Sequence, residues 1–238
     1  ALMKKKSCYL RQDLAQVWAD QPVFDVVANI DGEIFRDKEG RRTLRFELND
    51  RSYFLKYHQG VGWAEIVKNL LQMRLPIISA RNEWQAIHFL EKHGIDTMTL
   101  AGYGEKGINP ATLRSFVITD DLVNTMSLEY VGEQWQERQP SFATKQALIR
   151  KLANIFDDNT PVYLIDLHRA TIRHKTPKRW QIKDLGSLYF SASRVPLTKR
   201  DKLRFMQIYS GLPLRTMLRE QADLWREVER RAQKLLAE

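Results

Sequence analysis

The chain of 238 residues has one cysteine, Cys8, so no disulfide can form within it, and a reducing compartment is expected. No apolar run approaches the roughly 18 residues that a membrane-spanning helix needs. The start of the chain, with Lys4, Lys5 and Lys6 followed by Asp13, lacks the apolar core of a signal peptide. A cytoplasmic protein is therefore expected. The five histidines, at 58, 88, 93, 168 and 174, are scattered and show no metal-ligand spacing. There is no internal repeat and no low-complexity tract. Without a recognition-helix or zinc-finger motif, nothing favours nucleic acid as the partner.

What the chain has in excess is positive charge, with a formal net charge of +9 and a pI of 9.6. Such a balance implies an anionic partner: nucleic acid, an anionic membrane surface, a phosphorylated or acidic substrate, or an acidic partner protein. The excess is concentrated. Between Leu167 and Lys202 ten Lys or Arg face only Asp184 and Asp201, so the cluster is expected to bind an anion.

This basic stretch directly follows Val162-Tyr163-Leu164-Ile165-Asp166, four apolar residues that read as a buried strand ending on a carboxylate. A carboxylate held there can take Mg²⁺, which binds one or two carboxylates together with substrate phosphates. Alternatively, Asp166 only caps the following turn. Upstream, residues 10–18 form a candidate amphipathic helix, and 25–30 a second turn. Residues 33–36, 43–48 and 53–57 read as three antiparallel strands, separated by a polar loop at 37–42 and a turn at Asn49-Asp50. Lys56, in the third strand, is placed to contact the α/β-phosphates of ATP, although an edge lysine opposing aggregation would look the same. Gly40 is the one glycine of the 37–42 loop, so Arg41 and Arg42 are candidates to contact phosphate there.

A basic amphipathic helix over 63–75 ends at Pro76, and Ser79 is placed to cap a helix over 81–93. In that helix Glu83 is the candidate partner for Lys56, with Glu91 as its rival. Gly102-Tyr103-Gly104-Glu105-Lys106-Gly107 matches a dinucleotide fingerprint in letters only. It lacks the strand-to-helix context and is read as a hairpin. The strand at 115–119 runs into Asp120, Asp121 and Leu122, a hinge whose backbone could bind an adenine edge. Helices are expected over 128–135, 142–156, 180–190, 203–209 and 214–236, with Trp180, Tyr189, Phe190 and Trp225 in the core. Asp184 is expected in a buried helix. Together these elements give an α+β, two-lobed, protein-kinase-like fold: a β-rich first lobe over 1–121 with an N-terminal helical extension, and a helical second lobe over 122–238.

In order, these parts resemble the lipopolysaccharide core heptose(I) kinases of Gram-negative bacteria. The similar blocks include Arg41-Arg42-Thr43-Leu44-Arg45-Phe46, Tyr53-Phe54-Leu55-Lys56, Glu83-Trp84-Gln85-Ala86-Ile87, Ile165-Asp166-Leu167-His168-Arg169-Ala170 and Pro177-Lys178-Arg179-Trp180 with Lys183-Asp184-Leu185. The resemblance implies transfer of the ATP γ-phosphate to O4 of the first heptose of the inner core, at the cytoplasmic face of the inner membrane. ATP and Mg²⁺ would be the cofactors. Arg169, Arg173, Lys175, Lys178 and Arg179 would bind the anionic core, and Asp184 would support the catalytic loop. A kinase for another sugar such as Kdo is the neighbouring reading; an inactive pseudokinase or polyanion-binding scaffold is the alternative from another class.

One block of the family pattern is absent. Members carry a His-Arg-Asp-Cys-Tyr-Ile-Cys-His-Phe stretch that supplies the catalytic-base Asp. Here Ile155-Phe156-Asp157-Asp158-Asn159-Thr160-Pro161 joins helix to strand directly. At roughly 3.3–3.6 Å per residue, this connection cannot hold a catalytic loop and a hairpin. Asp157 and Asp158 are the carboxylates present, with nothing to orient them, so the base is unassigned and its place is between Phe156 and Val162.

Overall fold

The computed structural model describes residues 6–38, 40–71, 77–157 and 160–238. The chain divides into two compact units. The first takes residues up to Val123 together with Tyr163–Ile172, and the second takes Asn124–Val162 and Arg173–Glu238. The segment around Asp166, expected with the helical part, thus packs in the first unit. Leu164 forms a parallel bridge with Thr97, whose hydroxyl donates to the Leu164 carbonyl at 2.7 Å.

The first unit is built on β1 (Lys6–Leu10), α1 (Gln12–Val17), α2 (Val23–Asn29), β2 (Glu33–Lys38), β3 (Arg41–Leu48), β4 (Arg51–His58), α3 (Gly62–Leu71), α4 (Arg81–Lys92), β5 (Leu100–Lys106) and β6 (Arg114–Asp120). The strands form one antiparallel six-stranded sheet in the order β1-β5-β6-β4-β3-β2. Asn49 and Asp50 both adopt positive φ, as the tight β3–β4 turn requires. The polar loop expected at 37–42 is mostly strand. Lys38 pairs with Arg41, so Arg41 and Arg42 lie within the ladder.

Period-2 alternation gives the sheet two different faces. On one face Leu44, Phe46, Tyr53, Leu55, Tyr57, Phe116 and Ile118 pack with Leu14, Trp18, Phe24 and Val27 from α1 and α2. That is the main core. On the other face Val117 packs with Ala80, Ile87 and Met98 around α4. Lys56 pairs across with Thr43 and Val117, which puts it on this second face beside α4. The two glycines of Gly102-x-Gly104 lie in β5, not in a connection, and β5 with β6 forms the expected hairpin. A Cβ on Gly104 would stand 2.3 Å from the Phe116 ring, so packing alone accounts for that glycine.

Several local readings change. The run before Asp166 is not a buried strand: among the described residues only Leu164 forms a bridge, and Ile165 is 60% exposed. A strand needs a ladder partner, and the short connection before this run provides none. Ser79 lies one residue before the Ala80 N-cap of α4, and its hydroxyl accepts from the Arg81 N–H at 3.1 Å. The expected helix over 63–75 is described only as far as Leu71, and its end at Pro76 lies outside the described residues.

In the second unit α5 (Leu128–Glu137) and α6 (Phe142–Ala153) are followed by α7 (Lys178–Ala192), α8 (Lys199–Ser210), α9 (Leu214–Glu220) and α10 (Ala222–Ala237). The single helix expected over 214–236 is broken at Gln221. Asp184 is exposed, because the buried side of α7 against α10 is carried by Leu185 and Gly186 instead. Trp180, Tyr189, Phe190 and Trp225 are half-buried.

Asp201 ties this unit together. It closes a capping box with Thr198 and, although 4% exposed, accepts from Gln146 at 3.1 Å and pairs with Lys145 at 2.9 Å. Burial pushes its carboxyl up, but the Thr198 backbone N–H and the Lys145 ammonium outweigh this and hold it at about 2. The folded value is depressed, so this contribution is present above the unfolded value of about 3.9 and is lost as pH falls toward 2. Asp201→Ala removes a buried carboxylate with its capping box, leaves the half-buried Lys145 without this partner, and is expected to cost about 3 kcal/mol in chemical denaturation at pH 7.

Candidate functional site

In the first unit three side chains meet on the α4 face of the sheet. Lys56 Nζ lies 2.7 Å from Glu83 Oε1 and 3.3 Å from Asp166 Oδ1. Each element accounts for one member. Lys56 is fixed by the centre of β4, paired on both sides; Glu83 stands in the first turn of α4; Asp166 follows the Thr97–Leu164 bridge. Asp166 adopts a left-handed backbone (φ 58°, ψ 49°) before a 3-10 turn over Leu167–Arg169. Such a conformation is tolerated better by Asp than by most residues. Leu167 packs against the cluster around α4 and anchors this turn.

Glu83 is 1% exposed, and a carboxylate so placed needs a charged partner. Lys56 supplies it. Glu83 Oε2 is buried with no hydrogen-bond partner among the described residues. Glu91, the rival, is exposed and accepts from the Leu100 N–H at 3.4 Å. For Asp166, burial pushes the carboxyl up, but His168, 2.5 Å from Oδ1, and Lys56 together hold it below the usual carboxylate range. The contacts of Asp166 with Lys56 and His168 both use Oδ1, and its side chain is 65% exposed, so the second oxygen can meet a cation. No cluster of three metal-ligating side chains exists among the described residues. The arrangement therefore fits a hard cation held by one carboxylate and completed by phosphate and water oxygens.

Two further residues belong to this face. His168 stands in a block of the family resemblance but was given no role, and its position two residues after Asp166 brings it onto the carboxylate. His58, two residues after Lys56 on the same strand, is 6% exposed. Burial, then the charges of Arg41 and Lys56, lower its pKa to about 4. Arg41 pairs with His58 in the ladder and shares the Lys56 face. Arg42 does not. It pairs with Tyr57 on the opposite face and donates to the Ala28 carbonyl at 3.2 Å, because adjacent residues of a strand point to opposite sides.

At the end of β6 the side chains of the expected hinge are already engaged. Arg11 donates two bonds of 2.7 Å to Asp120, and Ser52 donates to Asp121 at 2.9 Å. Leu122 packs with the cluster around α4. The backbone N–H groups of Asp120 and Asp121 are engaged too, donating to the carbonyls of Thr99 at 2.9 Å and Ser52 at 3.0 Å. Of the expected substrate cations, Arg169 lies in the first unit, and Arg173, Lys175, Lys178 and Arg179 lie in the second; all five are exposed. Arg179 and Lys183 flank the Trp180 ring at 5.3 and 4.9 Å.

Residues 25–159 and 154–209 match the Lipopolysaccharide kinase (Kdo/WaaP) family. The chain is similar to lipopolysaccharide core heptose(I) kinase WaaP of Pseudomonas aeruginosa, with 42% identity covering 95% of this chain and 94% of that one. It is also similar to the protein of the same name from Escherichia coli strain K12, with 43% identity covering 90% and 91%. A solved structure of WaaP in complex with acyl carrier protein superposes with a TM-score of 0.81 at 38% identity, covering 96% of this chain and 99% of that one. The alignments also locate a gap. The P. aeruginosa alignment has 253 positions, but 95% of 238 residues is about 226, leaving about 27 positions of the relative without a counterpart here. The two family matches meet at 154–159, which places the gap where the His-Arg-Asp stretch was expected.

Proposed function

Since the chain belongs to the lipopolysaccharide kinase (Kdo/WaaP) family, we propose that it transfers the γ-phosphate of ATP to O4 of the first heptose of the lipopolysaccharide inner core. The observation that carries this reading is the Lys56–Glu83–Asp166 constellation on one sheet face. Lys56 binds the α/β-phosphates, and Glu83 fixes its position. Asp166 holds Mg²⁺, which neutralises phosphate charge when bound. Arg41 approaches the phosphates from the same face, and backbone groups of 120–122 take the adenine edge. Phosphoryl transfer has a loose transition state, so this chain's contribution is positioning and charge stabilisation.

The acceptor is anionic, and Arg169, Arg173, Lys175, Lys178 and Arg179 attract it. The reaction takes place at the cytoplasmic face of the inner membrane. No helix among the described residues is long and apolar enough to cross a membrane, and the +9 charge favours peripheral contact with anionic lipid. The partnership named in the solved relative's complex extends to this chain, whose charge suits an acidic carrier protein.

ATP with Mg²⁺ at 100 times its Kd contributes about 2.7 kcal/mol and is expected to raise the melting temperature by roughly 5–10 °C. Asp166→Asn is expected to melt near the parent temperature and to lose the Mg²⁺-dependent part of that rise. Lys56→Met leaves Glu83 buried and unpaired, so it loses about 3 kcal/mol of stability as well as the nucleotide response. A full response in both variants would remove this constellation from the nucleotide site.

A further inference from the structure

The second unit contains a cavity of about 630 Å³ at the start of α7, where it meets the end of α8 and the junction of α9 and α10. Its size is in the range of small-ligand sites. Lys175 and Lys178 line it, with Gln181, Tyr209, Ser210 and Gln221. Two acids, Glu220 and Asp223, also line it, but each is already paired: Glu220 with Arg219 at 3.1 Å and Asp223 with Arg226. Neither lysine makes an ion pair with any of the described residues. The cavity therefore presents two uncommitted ammonium groups.

Its polar wall has an unmet requirement. The Gln221 side-chain oxygen is buried without a hydrogen-bond partner among the described residues. Burial of such an acceptor costs about 1–3 kcal/mol unless a donor arrives. A sugar hydroxyl is such a donor. The Tyr209 ring, edge-on to Trp225 at 5.8 Å, adds an aromatic surface of the kind that sugar C–H faces pack against.

We propose that this cavity is a subsite for an anionic sugar of the acceptor saccharide. Lys175 and Lys178 bind its carboxylate or phosphate, and Gln221 accepts from a hydroxyl. The proposal rests on the kinase reading and narrows it: of the five exposed cations, these two carry acceptor recognition and the rest do not line the cavity.

The test is calorimetric titration of the intact protein with delipidated inner-core oligosaccharide in three forms: native, dephosphorylated and carboxyl-reduced. Lys175→Ala and Lys178→Ala are each expected to weaken binding of the native form about tenfold or more, as loss of a charge-assisted contact does. Gln221→Leu is expected to weaken all three forms. The form whose affinity no longer depends on the lysines identifies the anion as phosphate or carboxylate. ATP–Mg²⁺ binding, measured in the same samples, is expected to stay unchanged. If the lysine variants bind native oligosaccharide as tightly as the parent, the subsite is wrong while the nucleotide site stands. Loss of ATP binding in the parent protein would instead overturn the kinase reading itself.

Discussion

Inserting the roughly 27 positions of the P. aeruginosa relative that have no counterpart here, between Phe156 and Val162, is expected to raise phosphotransfer about 10²–10⁴-fold. That range is the usual worth of a positioned general base. The chain retains the parts proposed to hold nucleotide: Lys56 is fixed on both sides in the sheet, and Glu83 is buried against it. The stretch expected to supply a base for the heptose hydroxyl proton has no counterpart here. On the present connection Asp157 follows the turn after α6, and Asp158 is outside the described residues. The exposed run Tyr163-Leu164-Ile165 gives a second, structural readout. If the inserted segment supplies a ladder partner, amide hydrogen exchange over 162–165 slows along with the gain in activity. An inserted protein that folds with slowed exchange but no gain would show that the base lies elsewhere.

In the inserted protein, Asp166→Ala is expected to lower turnover by roughly 10³-fold, because charge stabilisation by a bound metal is worth several kcal/mol. Its fold is expected to persist. Asp166 is half out of the structure, and its removal frees Lys56 to pair with Glu83 alone. His168 loses its carboxylate partner in the same variant. His168→Ala, which keeps the carboxylate, separates the two effects; a fall as large as that of Asp166→Ala would assign the role to the imidazole.

How legible this was depends on the kind of signal. Lys56 and Glu83 were readable because strand alternation and a helix first turn fix side-chain direction from local sequence. Asp166 was readable as a residue, but its setting was not. Four apolar letters predict a buried strand only if a partner strand exists, and here the run has only the Thr97–Leu164 bridge. Arg42 failed for a related reason: placed in a loop, it could reach phosphate beside Arg41, but placed in a ladder it turns to Ala28. The Gly102-x-Gly104 pattern was read as part of a hairpin, and β5 and β6 form one. The reason for Gly104, the Phe116 ring against it, is a long-range contact that no local pattern encodes. Nor did the sequence show that Arg11 clamps Asp120, a pair 109 residues apart.

The most direct test of the account is transfer from γ-labelled ATP to purified inner core lacking heptose phosphate, with the product mapped by mass spectrometry and NMR. The account predicts label on O4 of the first heptose, dependent on Mg²⁺ and Lys56, slow with this chain and faster with the inserted segment. Label on a Kdo hydroxyl, or none from either protein while ATP still binds, would contradict it.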